Sequence, residues 1–201
     1  MTDITLFGPR TLSILSLEID DNYRKQLIDE VYRLAGNFDH KTNVKGKRTS
    51  YFLFKESDMF ENFLHRVNEL KSCNTWFVEP DKNSLGKLVL SNFWGAVYSK
   101  GDYTKRHNHN NASFSFVYYL QTNNCSTPLV FDELNYSYTP IENEIIFFPS
   151  DLTHHVPYHN YDKDRIVLAG NFYYMMDKSI LTTNQQVNID LKNGQVSHEY
   201  S

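Results

Sequence analysis

Two histidines, His107 and His109, are separated by one residue and precede the alternating segment SFVYYL at 115–120. Side chains two residues apart in an extended segment point to the same side. His107 and His109 could therefore bind one metal ion through their imidazole nitrogens, which are common metal ligands. The spacing alone is not specific, because asparagines surround both histidines and a polar, solvated loop would have the same composition.

A second pair of histidines, His154 and His155, follows residues 145–148, a predicted buried strand that ends at Pro149. Adjacent side chains in an extended segment point in opposite directions, so only one of the two is expected to be a ligand. Two ligands from one strand and a third from a neighbouring strand would leave one side of a metal ion open. Such a site suits an iron ion that must also bind a bidentate cosubstrate and oxygen.

Arg165 begins the otherwise apolar segment RIVLAG, eleven residues after His154. An arginine that points into the core needs a partner, because an unpaired buried charge is costly. The carboxylate of an anionic cosubstrate would be suitable, since guanidinium and carboxylate groups form paired, charge-assisted hydrogen bonds. The alternative is a salt bridge to Asp162 or Asp164 at the start of the strand.

The elements that must position these residues are predicted from the spacing of the apolar residues. Near residue 75 this spacing changes from the period of a helix to that of a strand. Before it, one or two short strands within residues 1–20 precede two amphipathic helices at 20–36 and 57–71. A polar, basic loop is predicted at 37–50. The expected helix caps are Asp20 or Asp21, Ser57 and, at the end of the first helix, Gly36.

After residue 75 the apolar residues alternate, and short turns separate the candidate strands. These strands are LGKLVLSN, FWGAVYS, SFSFVYYL, PLVF, NYSY, NEIIFFPS and RIVLAGNFYYM. Many short strands at this spacing predict a jelly roll or barrel. We therefore expect one α+β, mainly β domain over 1–201, with a helical support region (1–75), a β core (76–176) and a polar C-terminal segment (177–201). A final hairpin is expected around Asn193-Gly194.

Composition narrows the classes of function. The chain has 201 residues, a formal net charge of −4 and 15% aromatic residues, so neither nucleic acid nor a membrane is an expected partner. Two cysteines, Cys73 and Cys125, are too few for a disulfide framework. No signal peptide and no apolar run of about 18 residues is evident. The expected location is the cytoplasm, and both a monomer and a homodimer remain open.

Six sequence blocks, taken in order, resemble the 2-oxoglutarate- and Fe(II)-dependent oxygenases, in particular a branch of small bacterial and phage proteins related to prolyl hydroxylases. The blocks are WGAVYSKGDY (94–103), HNH (107–109), SFVYYL (115–120), LVFD (129–132), FFPSDLTHHV (147–156) and RIVLAGNF (165–172). This resemblance implies a double-stranded β-helix, a jelly-roll fold similar to that of cupins. For a phage protein, the cytoplasm would be that of the host.

The resemblance also implies roles for individual residues. His107, His109 and His154 would bind Fe(II), with His155 as the alternative to His154, and Arg165 would pair with the far carboxylate of the cosubstrate 2-oxoglutarate. The implied reaction consumes molecular oxygen, converts 2-oxoglutarate to succinate and carbon dioxide, and hydroxylates an unidentified small-molecule or peptide substrate.

The chain departs from the family pattern at two positions. Most of the family has a carboxylate where His109 stands, and the acidic residues nearest in sequence, Asp102 and Asp132, do not match that position. Many relatives have Ser or Thr at the position where this chain has Val167, and the hydroxyl of that residue makes a further hydrogen bond to the cosubstrate. A tyrosine could replace that contact, with Tyr119 taken as the cofactor-binding residue and Tyr118 and Tyr98 as the alternatives.

Two other functions use the same residues differently. A cupin-like metal enzyme could use the three histidines without 2-oxoglutarate, and a non-catalytic jelly-roll module, structural or glycan-binding, would need no metal. Trp94 is expected in the core rather than at a substrate platform. The basic loop 41–48 is either solvated or closes over an acidic substrate or a nucleic acid. The remaining histidines are expected at the surface: His40, His65, His159 and His198.

Overall fold

The computed structural model describes residues 2–5, 11–36, 42–73, 86–122, 127–176, 189–190 and 195–196. The strands are β1 (Thr2–Thr5), β2 (Thr11–Ser16), β3 (Val44–Lys45), β4 (Lys47–Arg48), β5 (Gly86–Tyr98), β6 (Tyr103–His107), β7 (Phe114–Gln121), β8 (Leu129–Phe131), β9 (Tyr136–Tyr138), β10 (Glu144–Pro149), β11 (His154–Val156), β12 (Arg165–Met176), β13 (Ile189–Asp190) and β14 (Gln195–Val196). The helices are α1 (Asp21–Leu34) and α2 (Glu61–Cys73), with 3-10 turns at Leu53–Lys55 and Asp58–Phe60.

Two antiparallel sheets form the body of the described chain. The larger has seven strands in the order β1-β2-β10-β7-β12-β5-β4, and the smaller has five in the order β3-β6-β11-β8-β9. Strands that are neighbours in a sheet are often far apart in chain order, because the chain crosses repeatedly from one sheet to the other. This is the predicted double-stranded β-helix.

The alternating strands of the larger sheet bury both of their faces. One face packs against the helices and forms a core that includes Leu27, Val31, Phe60, Phe63, Phe93, Phe116, Leu120, Phe147, Leu168 and Phe172. The opposite face meets the smaller sheet in a second core that includes Trp94, Ala96, Tyr98, Tyr119, Ile146, Phe148, Val167 and Ala169. The period of two therefore decides which residues can line a site between the sheets.

The helices brace the sheet from outside, and their N-caps are as predicted. Asp20 accepts hydrogen bonds from the backbone N–H groups of Asn22 (2.9 Å) and Tyr23 (3.1 Å), and Ser57 caps the 3-10 turn that leads into α2. The predicted C-cap is wrong. The cap is Ala35, whereas Gly36 pairs with Arg48 through two backbone hydrogen bonds.

Several strand predictions need correction. The segments LGKLVLSN and FWGAVYS form one strand, β5, whose pairing with β12 shifts register between Asn171 and Phe172. A bulge absorbs the extra residue without ending the strand. The predicted loop 37–50 contains β3 and β4, which are too short for a periodic signal and depend on pairing with β6 and β5. β6 and β11 were not among the candidate strands, and β11, with three residues, is also too short for a periodic signal.

The C-terminal hairpin is present as the antiparallel pair β13 and β14, while its turn at Asn193-Gly194 lies outside the described residues. Within the described part of the chain, no helix combines the length and the apolar content needed to cross a membrane.

Candidate metal centre

Three imidazoles converge between the two sheets. His107 ends β6, His154 begins β11, and their Cα atoms are paired across the two strands. His109 lies two residues beyond β6. One nitrogen from each ring can be chosen so that all three lie within 4.8 Å of one another. The separation of the ring centroids is 4.4 Å for His107 and His154, 4.9 Å for His107 and His109, and 5.2 Å for His109 and His154.

Backbone carbonyls select the tautomer of two of these rings. Nδ1 of His107 lies 2.8 Å from the carbonyl oxygen of Lys105, and Nδ1 of His154 lies 2.9 Å from that of Leu152. A carbonyl oxygen only accepts, so each Nδ1 must carry the hydrogen. The lone pair then lies on Nε2, which is the arrangement that orients a histidine toward a metal ion.

Burial keeps the cluster uncharged. It lowers the pKa of His107, lowers that of His109 to about 4 and lowers that of His154 well below its usual value. The neighbouring His107 ring contributes to the last two shifts. Imidazoles bind metal ions in the neutral form, so the site needs no deprotonation near neutral pH.

The turn between β6 and β7 fixes the position of His109. Its backbone N–H donates to the carbonyl of Ser150 (2.7 Å), and its own carbonyl accepts from the N–H of Ala112 (2.7 Å). Its ring lies 6.1 Å from that of Trp94, measured between centroids. His109 is therefore held by the end of β10 on one side and by β5 on the other.

His155 points away from the cluster, as the alternation within β11 requires. Its Nδ1 lies 3.2 Å from a carboxylate oxygen of Asp132, and the same oxygen lies 3.1 Å from Nε of Arg106. Asp102 accepts from the backbone N–H of Ser99 in the turn before β6. Among the described residues, no carboxylate belongs to the histidine cluster, and the structure favours His154 over His155.

Arg165 points into the space between the sheets and is 1% exposed. Neither its Nε nor its Nη1 has a hydrogen-bond partner among the described residues. The alternative salt bridges are not formed, because Asp162 pairs with Lys100 (2.8 Å) and Asp164 accepts from the hydroxyl of Tyr32 (2.8 Å). The buried guanidinium is thus left without a counter-charge.

The three candidate tyrosines differ in what their hydroxyls contact. The hydroxyl of Tyr98 bonds to Thr104 (2.7 Å), and Tyr118 bonds to Asn143 (2.9 Å) on the helix side of the sheet. Tyr119 has no hydroxyl partner among the described residues, and its ring centroid lies 5.3 Å from the guanidinium carbon of Arg165. Burial raises the pKa of Tyr119 to about 12, so its hydroxyl stays protonated and can donate.

One pocket joins the histidines and Arg165; Tyr98 also lines it, whereas Tyr119 is not among its lining residues. Its lining includes the three histidines and Arg165, and between them an apolar wall formed by Leu129, Phe148, Val156, Val167 and Ala169. Trp94 lines the same pocket while only 8% of it is exposed, so it is both a core residue and a wall of the site.

Three findings on the polar residues were not anticipated from the sequence. His159 is fully buried, contrary to the prediction, and its ring contacts the Thr127 hydroxyl (3.1 Å) and the Lys163 carbonyl (2.8 Å). Asn171 and Ser115 also line the pocket. Asn171 lies six residues after Arg165 on the same strand, so alternation from Arg165 would have predicted that it faces the pocket. His65 is exposed as expected, whereas His40 and His198 lie outside the described residues.

Comparison with known proteins finds similarity in structure only. No protein-family model and no curated protein matches the sequence. A viral collagen prolyl hydroxylase from Paramecium bursaria Chlorella virus-1, in a 2-oxoglutarate complex, superposes with a TM-score of 0.60 at 14% identity, covering 80% of this chain and 94% of that one. A Pseudomonas putida prolyl-4-hydroxylase gives 0.59 at 15% identity, covering 81% and 91%.

A third similar structure is the Trichoplax adhaerens prolyl hydroxylase in complex with a hypoxia inducible factor peptide fragment. It has a TM-score of 0.60 at 15% identity and covers 87% of each chain. All three superpositions extend over most of both chains. The chain therefore has the double-stranded β-helix fold of the 2-oxoglutarate- and Fe(II)-dependent oxygenases.

Proposed function

We propose that the protein is a 2-oxoglutarate- and Fe(II)-dependent oxygenase that hydroxylates its substrate. The observation that carries this proposal is the presence, in one pocket, of three uncharged imidazoles and a buried arginine that has no counter-charge among the described residues. The first group suits a divalent metal ion and the second suits a carboxylate. The 2-oxoglutarate complex of the viral prolyl hydroxylase supports the same reading.

His107, His109 and His154 would hold the iron. Three nitrogen ligands from two neighbouring segments leave coordination positions free for a cosubstrate and oxygen. When bound, iron and 2-oxoglutarate supply the oxidation: one oxygen atom enters a C–H bond of the substrate, and the other enters the succinate that forms with carbon dioxide. The protein contributes the position of each imidazole and, through backbone carbonyls, the tautomer of His107 and of His154.

Arg165 would hold the far carboxylate of 2-oxoglutarate. A guanidinium can donate two parallel, charge-assisted hydrogen bonds to a carboxylate from neighbouring N–H groups, and the Nε and Nη1 of Arg165 have no partner among the described residues. The neighbouring Tyr119 hydroxyl can donate a third. This tyrosine would replace the contact that Ser or Thr makes in relatives at the position of Val167.

The apolar wall between the two polar ends would exclude water from the reacting atoms. Leu129, Phe148, Val156, Val167 and Ala169 line this part of the pocket. Exclusion of water strengthens the electrostatic interactions of Arg165 with its ligand and limits unproductive oxidation.

An anaerobic titration tests the proposal. Purified protein loaded with Fe(II) should develop a weak visible metal-to-ligand absorption when 2-oxoglutarate is added, and should release succinate once oxygen is admitted. His154→Ala should abolish the stoichiometric retention of iron and the absorption, whereas His155→Ala and the exposed control His65→Ala should retain both.

Two results would contradict the proposal. A parent protein that binds iron but shows no response to 2-oxoglutarate would support a cupin-like metal enzyme. A protein that retains no metal, and whose His107→Ala variant melts like the parent, would support a non-catalytic module.

A further inference from the structure

The pocket face of β12 has a polar residue at each end and apolar residues between. Arg165, Val167, Ala169 and Asn171 alternate along the strand and all line the pocket. Six residues of strand span about 20 Å. A five-carbon dicarboxylate is only about 7 Å long, so a cosubstrate whose far carboxylate is held at Arg165 covers only part of this length. The Asn171 end is available for a second ligand.

A chain of hydrogen bonds fixes the orientation of Asn171. Its Oδ1 accepts from the hydroxyl of Ser115 (2.8 Å), which in turn bonds to the hydroxyl of Ser150 (2.7 Å). The carbonyl of Ser150 accepts from the backbone N–H of His109. Asn171 is only 6% exposed, and its Nδ2 has no partner among the described residues. The amide is therefore rigidly tied to the turn of His109 and keeps a free donor group.

A second space, which we call the outer chamber, shares Asn171, Trp94, His107 and His109 with the first pocket. Its polar wall consists of three asparagines, and its aromatic wall of Tyr51 and Trp94; the chamber also borders His107 and His109. The three asparagines are Asn43, Asn92 and Asn171. No Asp, Glu, Lys or Arg is among the described residues that line it.

The position of the chamber follows from the register of the sheet. Asn92 of β5 lies directly opposite Asn171 of β12, so their side chains share a face, and Trp94 lies on that same face two residues along β5. Tyr51 contacts Trp94 edge to face, with ring centroids 5.3 Å apart. Two aromatic rings and a pair of amides therefore border the space beside the imidazoles.

We propose that the outer chamber binds an uncharged amide group of the substrate, with Asn171 as a specificity-determining residue. The Nδ2 of Asn171 would donate to the amide carbonyl, while Tyr51 and Trp94 contact the adjacent apolar part. Among the described residues, no charged side chain lines the chamber to compensate a charged group for its lost hydration, and that cost selects against acidic and basic substrates. This inference rests on the proposed function, since it concerns the substrate of the same site.

Paramagnetic broadening with defined probes tests the inference. The protein is loaded with Mn(II) and 2-oxoglutarate under anaerobic conditions, and the NMR signals of three probes are followed: N-acetyl-alaninamide, N-acetyl-aspartate α-amide and N-acetyl-lysinamide. We expect broadening of the neutral probe and at least tenfold weaker binding of the two charged ones. Equal binding of all three, or no binding of the neutral probe, would overturn the inference.

Variants localise the effect. Asn171→Leu retains the size of the side chain but removes its hydrogen bonds, and should weaken binding of the neutral probe at least tenfold. Ser115→Ala removes only the hydroxyl that orients the amide, and should weaken it about threefold or more. The exposed control Asn160→Leu should bind as the parent does. Parent-like probe binding by both Asn171→Leu and Ser115→Ala would refute the role of Asn171.

The affinity for 2-oxoglutarate separates the two proposals. If 2-oxoglutarate binds to the parent and the amide probe does not, the outer-chamber inference fails alone. If 2-oxoglutarate itself does not bind, the proposed function fails, and the inference that rests on it falls as well. Retained binding of 2-oxoglutarate by Asn171→Leu also shows that this variant is folded.

Discussion

Replacement of Arg165 by methionine should have opposite effects on stability and on binding of the cosubstrate. Methionine approximately fills the volume of the arginine stem but removes the charge. The guanidinium is 1% exposed and two of its nitrogens have no partner among the described residues. Without ligand, its burial opposes folding, because the charge has lost its hydration and the rings of Tyr98 and Tyr119, 4.9 and 5.3 Å from the guanidinium carbon, compensate for that loss only in part. Arg165→Met should therefore be as stable as the parent in the absence of ligand, or more stable.

The same substitution, Arg165→Met, should weaken the binding of 2-oxoglutarate. Two hydrogen bonds to a charged group contribute about 1.5–3 kcal/mol each. Their loss should weaken the binding of 2-oxoglutarate by about 3–6 kcal/mol, which corresponds to roughly a 10²- to 10⁴-fold rise in Kd. A concentration of 100 times Kd stabilises the parent by about 2.7 kcal/mol. For a chain of this size that amounts to a rise in Tm of roughly 5–11 °C.

Isothermal titration with 2-oxoglutarate in the presence of Mn(II), together with thermal melts, measures both effects. Arg48→Met is the matched control, since Arg48 is also buried. Its guanidinium lies over the Tyr51 ring, and it does not line the pocket that contains Arg165. This substitution should lower the stability and leave the affinity for 2-oxoglutarate unchanged. A Kd for Arg165→Met within threefold of the parent, or a loss of several kcal/mol of stability without ligand, would refute the reasoning.

Three further predictions concern the metal site, the helix packing and the acid response. His109→Asp adds a hard oxygen ligand and should raise the affinity for Mn(II) relative to Ni(II) about tenfold or more in competition titrations; an unchanged ratio would argue against His109 as a ligand. Gly95→Val should lower the free energy of unfolding by about 1–3 kcal/mol, because an added Cβ would lie 2.9 Å from both Cγ atoms of Val31; an unchanged urea midpoint would contradict this packing. The Arg33 guanidinium hydrogen-bonded to Glu30 lowers the pKa of that carboxyl from 4.5 to about 2, so its stabilising effect is complete above pH 4.5 and is lost as the pH falls toward 2. The stability difference between the parent and Glu30→Gln, measured by urea unfolding, should narrow over that range, and a constant difference would exclude this ion pair as its source.

The residues of the site could largely be predicted because local spacing determines the direction of a strand side chain. His107 ends its strand facing the paired His154, and alternation sends the adjacent His155 to the outer side. The same rule places Arg165 inside, where the absence of a partner became apparent only in three dimensions. Which tyrosine is free of other contacts depends on hydrogen bonds to residues distant in the sequence. Tyr119 could therefore be a candidate in the sequence but could not be separated from Tyr98 and Tyr118.

The parts of the fold that the sequence did not reveal are those in which pairing, rather than propensity, creates the element. β3, β4 and β11 have two or three residues each, too few to show a period. His159 was misassigned for a related reason: the segment around it is polar, yet its ring is buried because Thr127 and the Lys163 carbonyl satisfy both nitrogens. A polar residue can be buried wherever distant groups complete its hydrogen bonds, and one sequence does not show that.

The replacement of a carboxylate by His109 changes the electrostatic balance of the site and suggests how its two ligands depend on each other. Three neutral imidazoles would leave the double charge of a bound Fe(II) uncompensated by the residues that hold it, and Arg165 lines the same pocket with a further positive charge. The two negative charges of 2-oxoglutarate would then be the main compensation for both. Each ligand should therefore raise the affinity for the other, and thermodynamic linkage requires the two factors to be equal. A site with a carboxylate in place of His109 would compensate part of the metal charge itself, and the coupling there should be smaller.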